Sequence, residues 1–336
     1  MGRKQLSRWT LAAGLLAFGL AQAACAEVAT IRIAQQFGIS YLPLTVMQQK
    51  HLFEKRAEEA GVDLKVDWLQ LSAGSGMNEA LLSGSIDLAS GGVGPMLTIW
   101  GKTVNNLKVK GVAALNAMPL FLVTTDPAVK SIKDFTAKDK IALPGVKTSI
   151  QAVTLQMAAE KAFGPDQRYK LDPLTVSMGH PDAETALLGG HSEIDAHFGS
   201  SPYQEQELAD PRVHKVLDSY AVLGGPHTFN VVWATTKFVN NNPKVIGAFV
   251  AALEDSEAQI KEDPAAAAAL WIKAEGVKMP VAQAEKIIRD PLNEWTTTPK
   301  KVLTFLDYMN RAGLVSAKTG DWRDIFFPNI HAASGS

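Results

Sequence analysis

Short segments in which apolar and polar residues alternate are each followed by a loop of small residues and then by helical spacing. Ile31 and Ile33 alternate with polar neighbours before the first such loop, and residues 62–71 alternate before the glycine-rich residues 72–76. Residues 86–89 repeat the arrangement. Alternation with a period of two is typical of a β-strand, and apolar spacings of three and four are typical of a helix. The repeated order of strand, loop and helix predicts parallel βαβ units.

A second series of elements is predicted beyond Pro119, followed by a helical tail. Further strands are predicted at residues 120–125, 132–135, 140–143, 174–176, 194–198 and 229–235. The first and last of these are strongly apolar, and they are the candidates for the segments that cross between two halves of the molecule. Four helices are then predicted, each beginning at or near a proline as helix first turns often do, at residues 243–261, 264–274, 280–289 and 299–312.

One supersecondary unit occurs twice in the sequence. Residues 79–95 run from a helix through a glycine to Ile-Asp and reach a proline, and residues 184–202 repeat this order. The repeat places Asp87 and Asp195 at equivalent positions, one in each half. Because an aspartate beside a strand often accepts hydrogen bonds from backbone N–H groups, we predict a structural role for both.

Composition and charge narrow the possible functions. The 336 residues are 46% hydrophobic, which is enough apolar material for one large or two medium domains. Lysine and arginine number 33 against 34 aspartate and glutamate, so no basic excess favours a nucleic-acid partner. The single cysteine, Cys25, excludes a disulfide framework and a thiolate metal cluster. His180, His191 and His197 lack the spacing of a helical ligand pair, so neither a metal nor a cofactor is predicted.

The first 26 residues have the pattern of a secretory signal peptide. Three basic residues precede an apolar core at residues 11–20, and residues 24–26 read Ala-Cys-Ala, which is a small-residue cleavage site. Cleavage before Glu27 leaves a chain without cysteine, as suits an oxidising compartment. Gln22 stands where a lipoprotein signal has an aliphatic residue, so we expect a secreted protein without a lipid anchor.

The order of these segments resembles the periplasmic substrate-binding proteins of ABC importers. The resemblance is to the group that takes up nitrate, sulfonate, taurine and bicarbonate, to which the thiamine-pyrimidine-precursor proteins are similar. The resemblance rests on the first strand with its glycine loop, the Gly-Ser-Ile-Asp segment and three later loops, at residues 31–43, 84–87, 90–95, 142–145 and 190–195. The resemblance implies an α/β fold, that of a two-lobe periplasmic binding protein of type II with two crossing strands and a C-terminal helical segment.

The resemblance also implies a domain organisation and a set of partners. It assigns residues 1–26 to a signal peptide, residues 27–121 and 230–336 to lobe 1, and residues 122–229 to lobe 2. It further implies a periplasmic monomer that binds a small-molecule solute in the cleft between its lobes. It also implies a docking surface for the importer's permease at the inner membrane. No enzymatic activity is predicted.

Loops that follow strands in both halves supply the candidate binding residues. In an α/β sheet such loops meet at the carboxyl ends of the strands, where helix N-termini present free N–H groups. Glycine, serine and threonine in these loops favour close contact with a small anion such as a sulfonate, nitrate or carboxylate. The predicted ligand-binding residues are Gln36, Phe37, Tyr41, Ser75, Gly76, Ser90, Gly91, Lys147, Ser149, His197 and Phe229.

These residues have different expected roles, and each also has a purely structural interpretation. Phe37, Tyr41 and Phe229 are expected to form an apolar wall for the organic part of a solute, or to belong to the core. Lys147 is expected to pair with an anionic head, or to be solvated. His197 is expected to donate a hydrogen bond from the cleft, or to be a satisfied structural histidine. The serines are alternatively helix caps.

Other function classes lack their motifs in this sequence. Residues 190–194 read Gly-His-Ser-Glu-Ile, which fails the Gly-x-Ser-x-Gly pattern of a hydrolase at its last position. Residues 74–76 are not followed by the third glycine of a dinucleotide-binding fingerprint, and no phosphate-binding loop motif occurs. No catalytic residue is therefore predicted. A receptor for a pyrimidine or other heteroaromatic solute, and an enzyme on the same fold, are the alternatives.

Overall fold

The computed structural model describes residues 27–72 and 74–336, without the side chain of Ser75. The signal peptide predicted at residues 1–26 lies outside the described residues. In the part that is described, helices flank two separate five-stranded sheets. The mixed α/β class predicted from the sequence is confirmed.

The strands and helices are numbered in chain order. The strands are β1 (Thr30–Gln35), β2 (Lys65–Gln70), β3 (Leu88–Gly92), β4 (Lys110–Ala114), β5 (Asn116–Ala117), β6 (Phe121–Thr124), β7 (Ile141–Leu143), β8 (Thr175–Ser177), β9 (Ala196–Phe198), β10 (His214–Asp218), β11 (Asn230–Ala234) and β12 (Glu294–Trp295). The helices are α1 (Leu42–Gln49), α2 (Leu52–Glu59), α3 (Gly74–Leu82), α4 (Val93–Thr103), α5 (Ile150–Phe163), α6 (His180–Gly189), α7 (Tyr203–Leu208), α8 (Ser219–Leu223), α9 (Thr236–Asn241), α10 (Pro243–Glu262), α11 (Pro264–Glu275), α12 (Val281–Arg289) and α13 (Val302–Arg311).

The first sheet has the strand order β2-β1-β3-β11-β4. Strand β1 runs parallel to both of its neighbours, and its alternating Ile31 and Ile33 are fully buried, as the sequence pattern predicts. Strand β11 is antiparallel to β3 and β4. It pairs with β3 as far as Gly92, so β3 extends beyond the predicted residues 86–89 and includes Ser90.

The second sheet has the strand order β10-β6-β9-β7-β8. Strands β7, β8 and β9 are parallel, whereas β6 is antiparallel to both β9 and β10. The predicted strand at residues 132–135 is wrong: these residues form turns, and Ile132 and Phe135 are buried without belonging to a strand. Short apolar runs are ambiguous in period, which explains this error.

The chain passes twice between the sheets, and the two passages lie side by side. The first passage leaves β5 and enters β6, and the second runs from α8 to β11. Ala117 of the first passage pairs antiparallel with Thr228 of the second, and the N–H of Phe229 donates to the carbonyl of Asn116 at 3.2 Å. Strand β12 joins them by pairing with β5. The two apolar runs predicted as crossings, residues 120–125 and 229–235, contain β6 and β11. Each run therefore lies mainly in the sheet that the chain enters, directly after the crossing itself.

The repeated unit positions two aspartates in the roles predicted for them. The carboxylate of Asp87 accepts hydrogen bonds from the backbone N–H and the guanidinium of Arg32, at 2.9–3.0 Å. The carboxylate of Asp195 accepts from the backbone N–H of Lys140 at 3.1 Å. Asp87 therefore holds β1 at its third residue and Asp195 holds the residue that precedes β7, and the structural interpretation of both is confirmed.

The C-terminal part of the described chain is helical, as predicted. Helices α10 and α11 begin at the prolines Pro243 and Pro264, and the carboxylate of Asp263 caps α11 by accepting from the N–H of Ala266. Helix α10 packs against α1, α2 and α11, so the helical segment extends the layer of helices that follows β1. Among residues 27–72 and 74–336, none of the helices combines the length and the apolarity that crossing a membrane requires.

Candidate functional site

A small cavity lies between the two sheets, where strand ends of both lobes face each other. Its volume is about 20 Å³, which is room for one water molecule. Residues of both lobes line it, namely Gln36, Phe37, Tyr41, Gly92, Pro95, Pro144, Ser149, Ile150, Gln151, His180 and Phe229. Among the side chains that the structure describes, none in this lining is an Asp, Glu, Lys or Arg.

The lobes touch at the mouth of this cavity through two glycines. A Cβ atom at Gly92 would lie 2.8 Å from Cγ2 of Ile150, and one at Gly94 would lie 2.9 Å from the carbonyl oxygen of Thr148. Contacts this short do not occur between a real Cβ and its neighbours. The N-terminus of α5 therefore rests directly on the backbone of the first lobe, and the arrangement is closed.

The lobes also meet at two other points around the cleft. Gly38, whose φ of 115° is accessible to glycine, lies so close to the second lobe that a Cβ would be 3.0 Å from the carbonyl oxygen of Ser201. Gly179 of the second lobe would bring a Cβ to 3.7 Å from Cβ of Ser72. Gly38 thus allows a close approach at the first point, whereas a Cβ at Gly179 would be at an ordinary contact distance.

The N-terminus of helix α5 is the most polar part of the lining. Ser149 caps the helix, and its hydroxyl oxygen accepts a hydrogen bond from the N–H of Ala152 at 3.1 Å. The N–H groups of Ile150 and Gln151 belong to the first turn, where no intrahelical acceptor exists. Free N–H groups and the helix dipole together favour an anion at such a position.

Aromatic side chains form the opposite wall. Tyr41 and Phe229 are buried, and the hydroxyl of Tyr41 accepts a hydrogen bond from the amide of Asn230 at 2.9 Å. Burial raises the pKa of Tyr41, so this hydroxyl stays protonated. Asn116, on the first passage between the lobes, accepts a hydrogen bond from the N–H of Asn230 at 3.3 Å. The wall is therefore connected directly to the crossing segments.

A chain of buried hydrogen bonds runs away from the cavity into the second lobe. Gln151 Nε2 lies 3.3 Å from His180 Nε2, His180 Nδ1 lies 2.8 Å from His197 Nε2, and His197 Nδ1 lies 2.5 Å from Glu207 Oε1. Burial lowers the pKa of His180 and lowers that of His197 to about 3, while it raises the pKa of Glu207 to about 9. At neutral pH all four side chains are therefore uncharged.

The structure brings five of the predicted binding residues to the cavity. They are Gln36, Phe37, Tyr41, Ser149 and Phe229. Gly91 lies directly behind one of them, since a Cβ there would be 2.7 Å from Nε2 of Gln36. Gly76 lies in α3 and is not part of the lining, and the side chain of Ser75 lies outside the described residues.

Three other predicted residues lie elsewhere. Ser90 is fully buried and donates its hydroxyl to the carbonyl of Ala34 at 2.7 Å, because β3 continues through this position. Lys147 lines a separate groove with Asp172 and is not part of the cavity lining. His197 is fully buried behind His180 and reaches the cavity only through it.

Sequence reasoning missed His180 and Gln151 as lining residues. His180 follows β8 and opens helix α6, which is the same strand-to-helix position that identified the other candidates. Gln151 lies in the first turn of α5, two residues after Ser149. In the described part of the chain, no group of three or more His, Cys, Asp or Glu side chains is arranged to hold a metal ion.

The fold defines the class of the protein: it is that of the periplasmic binding proteins. The alkanesulfonate-binding protein SsuA from Xanthomonas axonopodis pv. citri has a TM-score of 0.68 at 20% identity, covering 86% of this chain and 95% of that one. The aliphatic sulphonate binding protein SsuA from Escherichia coli has a TM-score of 0.66 at 22% identity, covering 90% and 92%. The nitrate-binding protein NrtA from Synechocystis PCC 6803 has a TM-score of 0.67 at 16% identity, covering 87% and 84%.

The sequence itself identifies the family. Residues 36–267, more than half of the chain, match the family described as NMT1/THI5 like. The chain belongs to the NMT1/THI5-like family. No curated protein matches it in sequence. The predicted resemblance to the periplasmic binding proteins of ABC importers is confirmed, and this fold supports a solute-binding role.

Proposed function

We propose that the protein is the solute receptor of an ABC importer and binds a small anion, an aliphatic sulfonate such as taurine or a nitrate-like ion. The observation that carries this proposal is the N-terminus of α5, which lies on the cavity with Ser149 as its cap. Two free backbone N–H groups and the helix dipole there favour negative charge. The described lining has no carboxylate to repel an anion.

Neutral donors are sufficient to bind an anion in this setting. Hydrogen bonds to an ionised acceptor are about twice as strong as those between neutral groups. The hydroxyl of Ser149 and the amides of Gln36 and Gln151 add side-chain donors to the backbone groups of α5. Phe37, Tyr41 and Phe229 supply the apolar wall for a short organic group, for which the lobes must stand further apart than in this structure, where the cavity has room for one water molecule. The function needs no catalytic residue, and we propose a receptor without enzymatic activity.

Closure of the lobes would couple binding to transport. The solute must bind the closed arrangement better than the open one, because equal affinity for both shifts no population. Residues on the cavity come from both lobes, which gives a solute that differential affinity. We propose lobe boundaries at residues 27–121 with 230–336 and at residues 122–229, with the paired passages at Ala117 and Thr228 as the hinge.

Location and partners follow from the same proposal. Residues 1–26 would direct export, and the receptor would act in the periplasm as a monomer. The closed form would be presented to a permease at the inner membrane. Two bodies held closed by a solute present a combined surface that the open form lacks, which is the physical basis of such recognition.

A heteroaromatic solute such as a pyrimidine is the second candidate. The observation that favours it is the aromatic wall facing amide and imidazole groups, since Gln36, Gln151 and His180 offer both donors and acceptors. The lining lacks a lysine or arginine among its described side chains, which suits an uncharged ring as well as a weakly hydrated anion.

A ligand series distinguishes these candidates. Purified protein, unfolded and refolded to remove any copurified solute, is titrated by calorimetry with nitrate, bicarbonate, methanesulfonate, taurine, short carboxylates and pyrimidines. We expect binding of one anion class, and thermal stabilisation of about 2.7 kcal/mol at 100 times its dissociation constant. Binding of pyrimidines alone would support the second candidate. No binding by any member of the series to folded protein would overturn both.

A further inference from the structure

Glu207, at the inner end of the chain of hydrogen bonds behind the cavity, determines which atom donates and which accepts in each bond of that chain. Glu207 is fully buried, and His197 Nδ1 is the hydrogen-bond partner of its Oε1. Its other carboxyl oxygen has no hydrogen-bond partner. In the described residues no lysine or arginine forms an ion pair with it. A carboxyl group in such surroundings is held in its neutral form, because ionisation would leave a buried charge without compensation.

A neutral carboxyl group fixes the proton on each imidazole in turn. Its O–H donates to Nδ1 of His197, so His197 carries its own proton on Nε2. That Nε2–H donates to Nδ1 of His180, which therefore also carries its proton on Nε2. Each donor in the chain is thus directed away from Glu207 and towards the cleft.

The last step of the chain is the side-chain amide of Gln151. With a proton on His180 Nε2, the facing atom of Gln151 must be an acceptor, so its amide oxygen turns towards His180. In the structure the amide nitrogen faces His180 at 3.3 Å, and a half-turn about χ3 exchanges the amide nitrogen and oxygen. The NH2 group then faces the cavity that Gln151 lines. An ionised Glu207 would reverse every bond and present the amide oxygen instead.

We propose that Glu207, acting through His197 and His180, is a positioning residue that sets the specificity of the cleft by making Gln151 a hydrogen-bond donor. This inference rests on the proposed solute-binding function. A cleft whose side-chain amide donates selects solutes that accept hydrogen bonds, such as sulfonate and nitrate oxygens. The same cleft with the chain reversed would select solutes that donate.

Other titratable groups packed around the chain reinforce this direction. Glu184 of α6 lies close to Glu207, and burial raises the pKa of Glu184 to about 7. Tyr203 of α7 stacks on the ring of His180, with centroids 5.5 Å apart and planes at 21°. Burial raises the pKa of Tyr203, so it contributes no charge at neutral pH. Neither neighbour is a cation that would stabilise an ionised Glu207.

The direct test is the protonation pattern of the two histidines. Long-range ¹H–¹⁵N spectra of ¹⁵N-histidine-labelled protein distinguish the two neutral tautomers and the imidazolium. We expect His180 and His197 to be neutral with the proton on Nε2, with and without methanesulfonate. Signals are assigned by their loss in His197→Gln and His180→Gln. A proton on Nδ1 of either ring, or an imidazolium at pH 7, would overturn the proposal.

Substitutions of Glu207 distinguish its role as a hydrogen-bond donor to His197 from a role in which its side chain only fills space. Glu207→Gln retains a donor to His197, so both tautomers and the affinity for methanesulfonate should be kept. Glu207→Met retains the volume but has no donor, so the tautomers should become mixed and the affinity should fall about tenfold. Glu257→Gln, at another buried carboxyl on α10, is the matched control and should change neither readout.

The outcomes also separate this inference from the proposed function. Altered tautomers in Glu207→Met with unchanged affinity would overturn the specificity role of Glu207. Tautomers as expected, with no anion bound by the wild type, would overturn the proposed function while the direction of the chain stands. If Glu207→Met does not fold, the spectra of the wild type and Glu207→Gln still decide the direction.

Discussion

Nε2 of His227 lies 2.9 Å from the hydroxyl oxygen of Ser219, and this hydroxyl group joins the second passage between the lobes to the first. The same hydroxyl oxygen accepts from the N–H of Leu120 on the first passage at 2.8 Å. His227 itself lies on the second passage, and its Nδ1–H donates to the carbonyl of Thr228 at 3.0 Å. The ring is fully buried, so the hinge depends on a neutral imidazole.

Protonation of His227 should weaken the fold at acidic pH. Burial lowers its pKa to about 4, although the hydrogen bond to Thr228 and the nearby Asp218 act in the opposite direction. The unfolded chain binds a proton near pH 6.5, so the unfolded state is favoured as the pH falls from about 6.5 to about 4. This histidine alone then contributes a loss of about 3 kcal/mol. Chemical denaturation at pH 7 and pH 4.5 measures it.

The variant His227→Gln isolates this contribution from other titrating groups. It should be less stable than the wild type at pH 7, because it loses part of the hydrogen bonding, and the difference should shrink at pH 4.5. His51→Gln, at an exposed position, is the control and should follow the wild type at both pH values. A difference that grows on acidification would contradict a neutral His227.

Gly94→Ala should prevent closure without unfolding either lobe. Gly94 lies in the first turn of α4, where alanine is the better helix former, so the lobe itself gains rather than loses stability. The added Cβ, however, would meet the carbonyl oxygen of Thr148 at 2.9 Å in the closed arrangement. We expect the dissociation constant of the solute to rise more than tenfold, a cost of at least about 1.4 kcal/mol for closure.

Small-angle scattering is the second readout for this variant. The wild type should contract when solute is added, and Gly94→Ala should keep the larger radius. Gly247→Ala in α10 is the matched control, since a Cβ there would have no atom within 4 Å. If Gly94→Ala binds and contracts like the wild type, the glycine contact does not limit closure.

Ser149→Ala should weaken binding beyond its effect on stability. Removing an N-cap serine or threonine costs about 1 kcal/mol of stability in general. Ser149 caps α5 on the cavity, whereas Thr235 caps α9 far from it by accepting from the N–H of Phe238. Ser149→Ala and Thr235→Ala should therefore melt at similar temperatures, and only the former should lose affinity, about tenfold. Equal affinities would remove Ser149 from the site.

Lys147→Ala, unlike Ser149→Ala, should leave the affinity for the solute almost unchanged. Lys147 lines the groove that contains Asp172, and its charge lowers the pKa of that carboxyl, against the larger effect of burial. Because its side chain does not line the cavity, we expect the affinity for the anion to change less than twofold at 0.15 M salt. A loss of tenfold or more would restore the ion pair with an anionic head, which is one of the two interpretations that the sequence leaves open for this lysine.

The sequence predicts the order of elements well, because local patterns decide them. The alternation of Ile31 and Ile33 identifies β1, and the prolines at 243 and 264 mark the starts of α10 and α11. The duplicated Ile-Asp unit even predicts the structural roles of Asp87 and Asp195. Each of these signals lies within a few residues of the feature that it predicts.

The binding site is less predictable, because tertiary pairing decides which side chains face the cleft. Ser90 was expected in a loop, but pairing with β11 extends β3 through it and turns its hydroxyl to Ala34. The chain from Gln151 through His180 to Glu207 joins residues 29 and 17 positions apart in its first two steps, and 10 apart in the third. No periodic pattern in the sequence indicates that residues with these separations along the chain are in contact.

The strand order of the first sheet has a consequence for how the protein is made. Strand β11 lies between β3 and β4, yet it follows β4 by more than a hundred residues along the chain. As the polypeptide emerges from the ribosome, β3 and β4 therefore each lack their β11 neighbour until the whole second sheet has been synthesised. Such long-range pairing slows folding and leaves the nascent chain extended for longer. A chain that folds late is compatible with the export that we propose, because a translocation channel admits a chain whose core has not yet formed.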